Sequence, residues 1–347
     1  MTLLLALTAL VWLALLAPPA SGQPRVAVVA GGLDTPWALA FAPDGRLFVT
    51  ERPGRIRVVV DGRLRPEPVA TLRVAERGES GLMGLALHPA FAETRRLYAC
   101  YTTEKGDRLV NRVVTLVLDG QTAREERVLL DDIPGASIHD GCRLKFGPDG
   151  KLYVTTGDAG ERPLAQRRES PAGKILRLEP GGGVPADNPF RGSPVWSLGH
   201  RNVQGIAWDG AGRLWASEHG PSGLPCCHDE INVIRPGANY GWPEVYGKAA
   251  DRRFEEPVID SGLRTWAPSG IAILREHLYV AALRGRALLR VRIGPDGAGE
   301  VESWLTGHGR LRDVVVGPDG ALYVATSNRD GRGSPAPDDD RILRVVP

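Results

Sequence analysis

"FAPDGRLFVTE", residues 41–51, is a strand end, a tight turn carrying Pro-Asp-Gly, and a second strand whose apolar residues alternate. Asp-Gly between two such runs marks a hairpin, because the turn needs a positive φ that Gly adopts freely. The phrase returns as "FGPDGKLYVTTGD" (146–158), "WDGAGRLWASE" (208–218) and "VGPDGALYVATSN" (316–328). Looser versions fill the gaps, "LALHPAFAETRRLYACYT" (85–102) and "IAILREHLYVAAL" (271–283). Successive copies lie roughly 45 to 65 residues apart, the length of one four-stranded blade with its loops. The six copies predict an all-β, six-bladed β-propeller over residues 23–347, one domain almost without helix. After the last copy only "RILRVV" (341–346) remains, and "RVAVVA" (25–30) has no partner at the start. The N- and C-terminal strands are therefore expected to complete one blade together, which removes an exposed sheet edge.

The 347 residues are 42% hydrophobic and 24% charged, an ordinary globular composition. With 43 basic and 41 acidic residues spread along the chain, there is no basic stripe for a phosphate backbone, and nucleic acid is not an expected partner. The apolar run from Leu3 to Ala17, followed by Pro18-Pro19 and small residues, has the length of a signal-peptide core and is short for a membrane span. Residues 1–22 read as a signal peptide cleaved before Gln23, although the segment lacks a leading Lys or Arg. The expectation is a periplasmic or secreted protein with no membrane span in the mature chain, in which disulfides are allowed.

Many chemistries use propellers, so the fold alone selects no function. The loops leading into the inner strands of a propeller converge at one end of its channel. At that position stand Glu79 in "RGESGLMG", His139, Asp140 and Arg143 in "SIHDGCRL", and Arg201 and Asn202 in "GHRNVQG". Thr265 in "LRTWAPSG" and Arg310 and Arg312 in "GRLRD" occupy it in the last two copies. These residues should ring one cavity. Arginines, a histidine and a carboxylate around one concave site suit a polyanionic ligand and a proton to be removed.

"GLDTPWALAFAPDGRLFVTERPGRIRVV", "HDGCRLKFGPDGKLYVTTGD", "GKILRLEPGGGVPADNPF", "GHRNVQGIAWD", "DEINVIRPGANYGWP" and "GRLRDVVVGPDGALYV" together closely resemble the soluble glucose/sorbosone dehydrogenase family. The resemblance covers residues 25 to 346. It implies a quinoprotein that oxidises aldose sugars at C1 to the lactone with pyrroloquinoline quinone (PQQ) and calcium, and passes electrons to an external acceptor. By the same resemblance Arg201 donates to the quinone oxygen, Asn202 holds the adjacent edge, and Arg310 and Arg312 clamp the carboxylates. Arg284, in "AALRGRALLRV", stands where the family has a basic residue facing the cofactor. His139 would be the base and Asp158 the carboxylate that orients it. Gly220 and Pro221 match backbone-carbonyl ligands of calcium, and Glu230 with the Tyr240 carbonyl could hold a second, structural calcium.

Two other readings fit a propeller: a secreted module that binds carbohydrate or protein without turnover, and a calcium-dependent sugar lactonase. Neither requires His139, Arg201, Arg310 and Arg312 together. Cys142 departs from the family, which commonly has Gly there, as does the vicinal pair Cys226-Cys227. Cys100, in an apolar strand, reads as a small buried residue. A cross-link from Cys142 to Cys226 or Cys227 is preferred over a ring between the vicinal pair, which geometry disfavours.

Overall fold

The computed structural model describes residues 24–223, 226–295 and 297–347; the expected signal segment, residues 1–22, lies outside the described residues. Six antiparallel sheets form six blades. Their innermost strands are Pro36–Phe41, Leu82–Leu87, Gly141–Phe146, Val203–Trp208, Pro268–Leu274 and Leu311–Val316. Each packs against the next, and the sixth against the first, so the ring is closed. Arg25–Ala30 pairs antiparallel with Ile342–Val346 as the outermost strand of the sixth blade. The two chain ends share one sheet, as the unpaired end strands required. Helix among the described residues is limited to Phe91–Thr94 and a 3-10 turn at Arg162–Gln166. None of these helices is long and apolar enough to cross a membrane.

The repeated phrase has a local cause. In the turns the Asp carboxylate accepts the backbone N–H two residues on, from Asp44 to Arg46, Asp149 to Lys151 and Asp319 to Ala321. Each Asp thereby caps its own turn. The hydroxyl residue in the second strand ties blades together. Thr50 Oγ1 accepts from Ala38 N and donates to Met83 O of the next blade. Thr155 Oγ1 does the same with Arg143 N and Val203 O. Between blades the alternating apolar residues pack together, with Trp37, Phe48, Tyr98 and Trp215 almost wholly buried.

The cysteines pair differently from the sequence expectation. Cys142 bonds to Cys100, and Cys226 bonds to Cys227. Cys100 sits on the second strand of the second blade and Cys142 on the inner strand of the third. Both are fully buried where the two blades meet, so this bond staples neighbouring blades beside the channel. A link from Cys142 to the 226–227 loop is thus excluded, and Cys100 is not a free thiol.

Candidate functional site

The inner-strand hairpins share an irregularity that builds the site. The register with the second strand shifts between Gly141 and Leu144, between Val203 and Gly205, between Pro268 and Ile271, and between Leu311 and Asp313. A bulge at the start of an inner strand turns the side chains just before and within it toward the channel mouth. His139, Arg201, Arg310 and Arg312 all lie within three residues of such a shift. They line one cavity, together with Glu79 and Thr265.

His139 is held with φ of 58°, in the left-handed region that non-glycine residues rarely occupy. The strand opposite permits this, because a Cβ on Gly157 would stand 1.8 Å from His139 O. That close approach brings His139 Nδ1 to 2.7 Å from Asp158 Oδ1. Asp158 also accepts from Gly160 N at 2.8 Å and from Trp242 Nε1 at 2.8 Å. Burial alone would push its carboxyl up, but the bond and charge of His139 and the two N–H donors outweigh burial and hold it below the usual range. An ionised Asp158 fixes the proton of His139 on Nδ1, and Nε2 has no partner among the described residues. The backbone N–H of His139 is donated to Glu79 Oε2 at 3.3 Å.

The arginines are buried and partly anchored. Arg201 lies over the Trp242 ring, 5.4 Å from Cζ to centroid, and takes its backbone position from Glu218, which also accepts from His200. Its guanidinium reaches only weakly to His219 O and Ser222 Oγ, at 3.3 and 3.4 Å. Arg310 donates Nε and Nη2 to Asp330. Arg312 donates Nη1 to Gln204 Oε1, while its Nε is buried with no partner among the described residues. Burial pushes the Arg312 guanidinium down to about 9. Two more buried nitrogens lack partners among the described residues, Asn202 Nδ2 and the His219 ring at Nε2. Four guanidiniums line the cavity; Arg310 is paired with Asp330 and Arg332 with Glu79, while Arg201 has no ion-pair partner among the described residues and Arg312 comes no nearer than 3.9 Å to a carboxylate. Such an excess of unsatisfied donors and positive charge suits an anion.

Not every expected residue comes to this cavity. Arg284 is exposed on a turn after the strand His277–Ala282, tied by its N–H to Trp266 O, and is not among the lining residues. Asp140 turns into the blade, where Asn111 Nδ2 and Ala136 N donate to Oδ1. Arg143 lies deeper in the channel, bonded to Asp313 at 3.0 Å. Asn202 sits behind the lining, with Oδ1 accepting from Gly141 N.

Gly220 and Pro221 line the cavity. A Cβ on Gly220 would stand 1.7 Å from Cys227 O, so only glycine lets this loop fold against the disulfide. Glu230 and Tyr240 lie outside the cavity. Glu230 faces Glu218 on one side and Asp260 on the other in the strand register, and accepts from Asn232 Nδ2 and Gly247 N. Burial, then Glu218, push its carboxyl up to about 8. Among the described residues no three His, Cys, Asp or Glu side chains converge as a metal cluster. A calcium site here would draw mainly on backbone carbonyls.

Sequence reasoning missed several neighbours. Arg332 bonds Glu79 Oε1 at 2.6 Å and, with a weaker pull from His219, outweighs burial to hold that carboxyl at about 2. Asp330, Gln204 and Trp242 position the arginines and Asp158. Asp330 and Trp242 come from loops and Gln204 from the inner strand Val203–Trp208, all outside the repeated phrase, which offers no signal for them.

The sequence pattern of the family described as Glucose / Sorbosone dehydrogenase matches residues 33–343. The fold is similar to the crystal structure of an oxidoreductase described as a glucose dehydrogenase from Thermus thermophilus. The TM-score is 0.89 at 52% identity, covering 93% of this chain and 100% of that one. It is also similar to the PQQ-bound form of aldose sugar dehydrogenase from Streptomyces coelicolor, with a TM-score of 0.86 at 41% identity over 95% and 99% of the two chains. Aldose sugar dehydrogenase YliI of Escherichia coli is 33% identical over 92% of this chain and 93% of its own length. With the motifs, the six blades and the lined mouth in agreement, the chain belongs to the glucose/sorbosone dehydrogenase family of oxidoreductases.

Proposed function

We propose that the protein oxidises an aldose at C1 to the lactone with PQQ and calcium, and passes the electrons to an external acceptor outside the cytoplasm. The observation that carries this reading is the His139–Asp158 pair facing a mouth lined by four guanidiniums. The polar groups fit the cofactor: Arg312 Nε and the His219 ring line the cavity, buried and unsatisfied among the described residues, as sites for a many-acceptor anion should be before it binds. Arg201, Arg310 and Arg312 would hold its carboxylates and quinone edge, with Glu79 and Thr265 beside them. Arg284 is too remote for that role in this conformation. Among the described residues the carbonyls of Gly220 and Pro221 accept none of the backbone hydrogen bonds formed in turns and loops, which suits them to a hard cation. Glu230 and the Tyr240 carbonyl form the proposed second calcium position, where a cation would offset the row of carboxylates.

Bound in this mouth, PQQ supplies the two-electron acceptor for the C1 hydride. The protein supplies the base: His139 Nε2 takes the anomeric hydroxyl proton while Asp158 keeps the ring oriented and stabilises the imidazolium that results. Arg201, desolvated beside Trp242, stabilises negative charge as it develops. The test is to load purified protein with PQQ and calcium, then follow reduction of an artificial acceptor with a panel of aldoses. Sugar-dependent turnover is expected; PQQ binding without turnover on any aldose would leave a binding module in place of an enzyme.

A further inference from the structure

The channel has a second mouth, at the opposite end from His139. The C-terminal halves of the six inner strands line a cavity there of about 600 Å³. Its walls are more apolar than polar, with Phe41, Leu87, Phe146, Trp208, Ile273 and Val316 among them. Three charged residues line it, Arg143, Lys145 and Asp313. Arg143 and Lys145 stand two apart on the inner strand of the third blade and so share its channel face. Asp313 belongs to the sixth blade, directly across the ring, and its bond to Arg143 spans the channel.

Two cations therefore meet one carboxylate, and that carboxylate is already occupied. Asp313 Oδ2 accepts from Arg143 Nη1 at 3.0 Å and from Leu39 N at 2.8 Å. Among the described residues Lys145 Nζ has a single partner, Ile206 O at 3.3 Å, so most of its three-donor capacity is unspent. Arg143 Nη2 has no partner among them either. This mouth shares no lining residue with the other. The Trp37 ring lies 4.1 Å from Arg143 Cζ on one side and 5.8 Å from Arg312 Cζ on the other. Gln204 gives its backbone oxygen to Arg143 Nε and its side-chain oxygen to Arg312.

We propose that this second mouth binds a small organic acid, its carboxylate on the Lys145 ammonium and its apolar body against Phe146 and Trp208. One negative charge neutralises the local excess, and a body of ring size removes apolar wall from water. A doubly charged or strongly hydrated anion would gain the ion pair and lose the wall. The site is separate from the proposed PQQ site and does not depend on it.

Isothermal titration of the holoenzyme with benzoate, benzamide and inorganic phosphate tests this. Benzoate should bind, with benzamide and phosphate each at least about tenfold weaker, the usual worth of a charge-assisted contact or of a buried ring face. Lys145→Met should lose benzoate by a similar factor, while Lys145→Arg keeps it. Burial pushes Lys145 down to about 8, against Asp313 and with Arg143, so affinity should fall as pH rises past that value. If Lys145→Met fails to fold, the Lys145→Arg protein and the pH series still decide. No benzoate binding, equal binding of benzoate and benzamide, or unchanged affinity in folded Lys145→Met would each overturn the proposal. Phosphate as tight as benzoate would overturn the organic-acid assignment.

Discussion

The Cys100–Cys142 bond gives a prediction whose size follows from the chain. The two residues are 42 apart in sequence, so the bond closes a loop of that length in the unfolded state. With the usual loop-entropy relation, a loop of this size stabilises the folded protein by about 4 kcal/mol. For a domain of this size, an unfolding entropy of roughly 0.7 kcal/mol/K converts that into a Tm loss of about 6 °C. Cys100→Ala and Cys142→Ala each break the bond, and each removes one buried sulfur at a further cost of about 1 kcal/mol. The double variant breaks the same bond only once. Scanning calorimetry should therefore show two large single losses and a double loss well short of their sum. Additive losses of only a degree or two each would show that no bond spans the blades. Non-reduced peptide mapping gives the covalent check: Cys100 and Cys142 in one linked pair, Cys226 and Cys227 in one peptide.

Four further outcomes follow. His139→Gln should retain PQQ while kcat falls on the order of 10²- to 10⁴-fold, the worth of a general base; an active variant would reassign the proton transfer. Asp158→Asn removes the ionised partner of His139 Nδ1 and should lower kcat about tenfold or more with KM little changed, measured by steady-state kinetics on one aldose. Chelator should weaken PQQ binding to the apo-protein, and equal binding with and without calcium would remove the metal from the site. Asp140 supplies a stability test. Burial raises its carboxyl to about 7, so its stabilising contribution is complete below the ordinary carboxyl range and is lost as pH rises through about 7. Asp140→Asn should thus gain in Tm over the wild type between about pH 5 and pH 8; a constant difference would refute the shift.

The blade count was legible because four of the six turns are specified locally, by an Asp that caps its own backbone and a Gly that takes the positive φ, and their spacing exposes the two that are not. His139, Arg201, Arg310 and Arg312 were legible for a related reason, since a fixed offset from the repeated hairpin sets a fixed height in the blade. Direction was not. Asp140 and Arg143 flank the same bulge as His139, and the backbone at Gly141 sends one into the blade and the other down the channel. Arg284 failed similarly, because the hydrogen bonds of its turn to Trp266 O hold it outward. The Cys100 partner depends on how closely neighbouring blades approach. At that contact a Cβ on Gly84 would lie 2.0 Å from Cys142 O, a distance no spacing along the chain encodes.

The shared sixth blade also sets an order of events during synthesis. Arg25–Ala30 is made before every other described strand of the ring, yet the strand it pairs with, Ile342–Val346, is made after all of them. Until those five residues emerge, the early strand and Leu322–Thr326 both present open edges, the kind that recruit other chains. The ring therefore cannot close before Ile342–Val346 has emerged. A translation product stopped before Ile342 would carry every residue of the site and still be exposed to edge-to-edge aggregation.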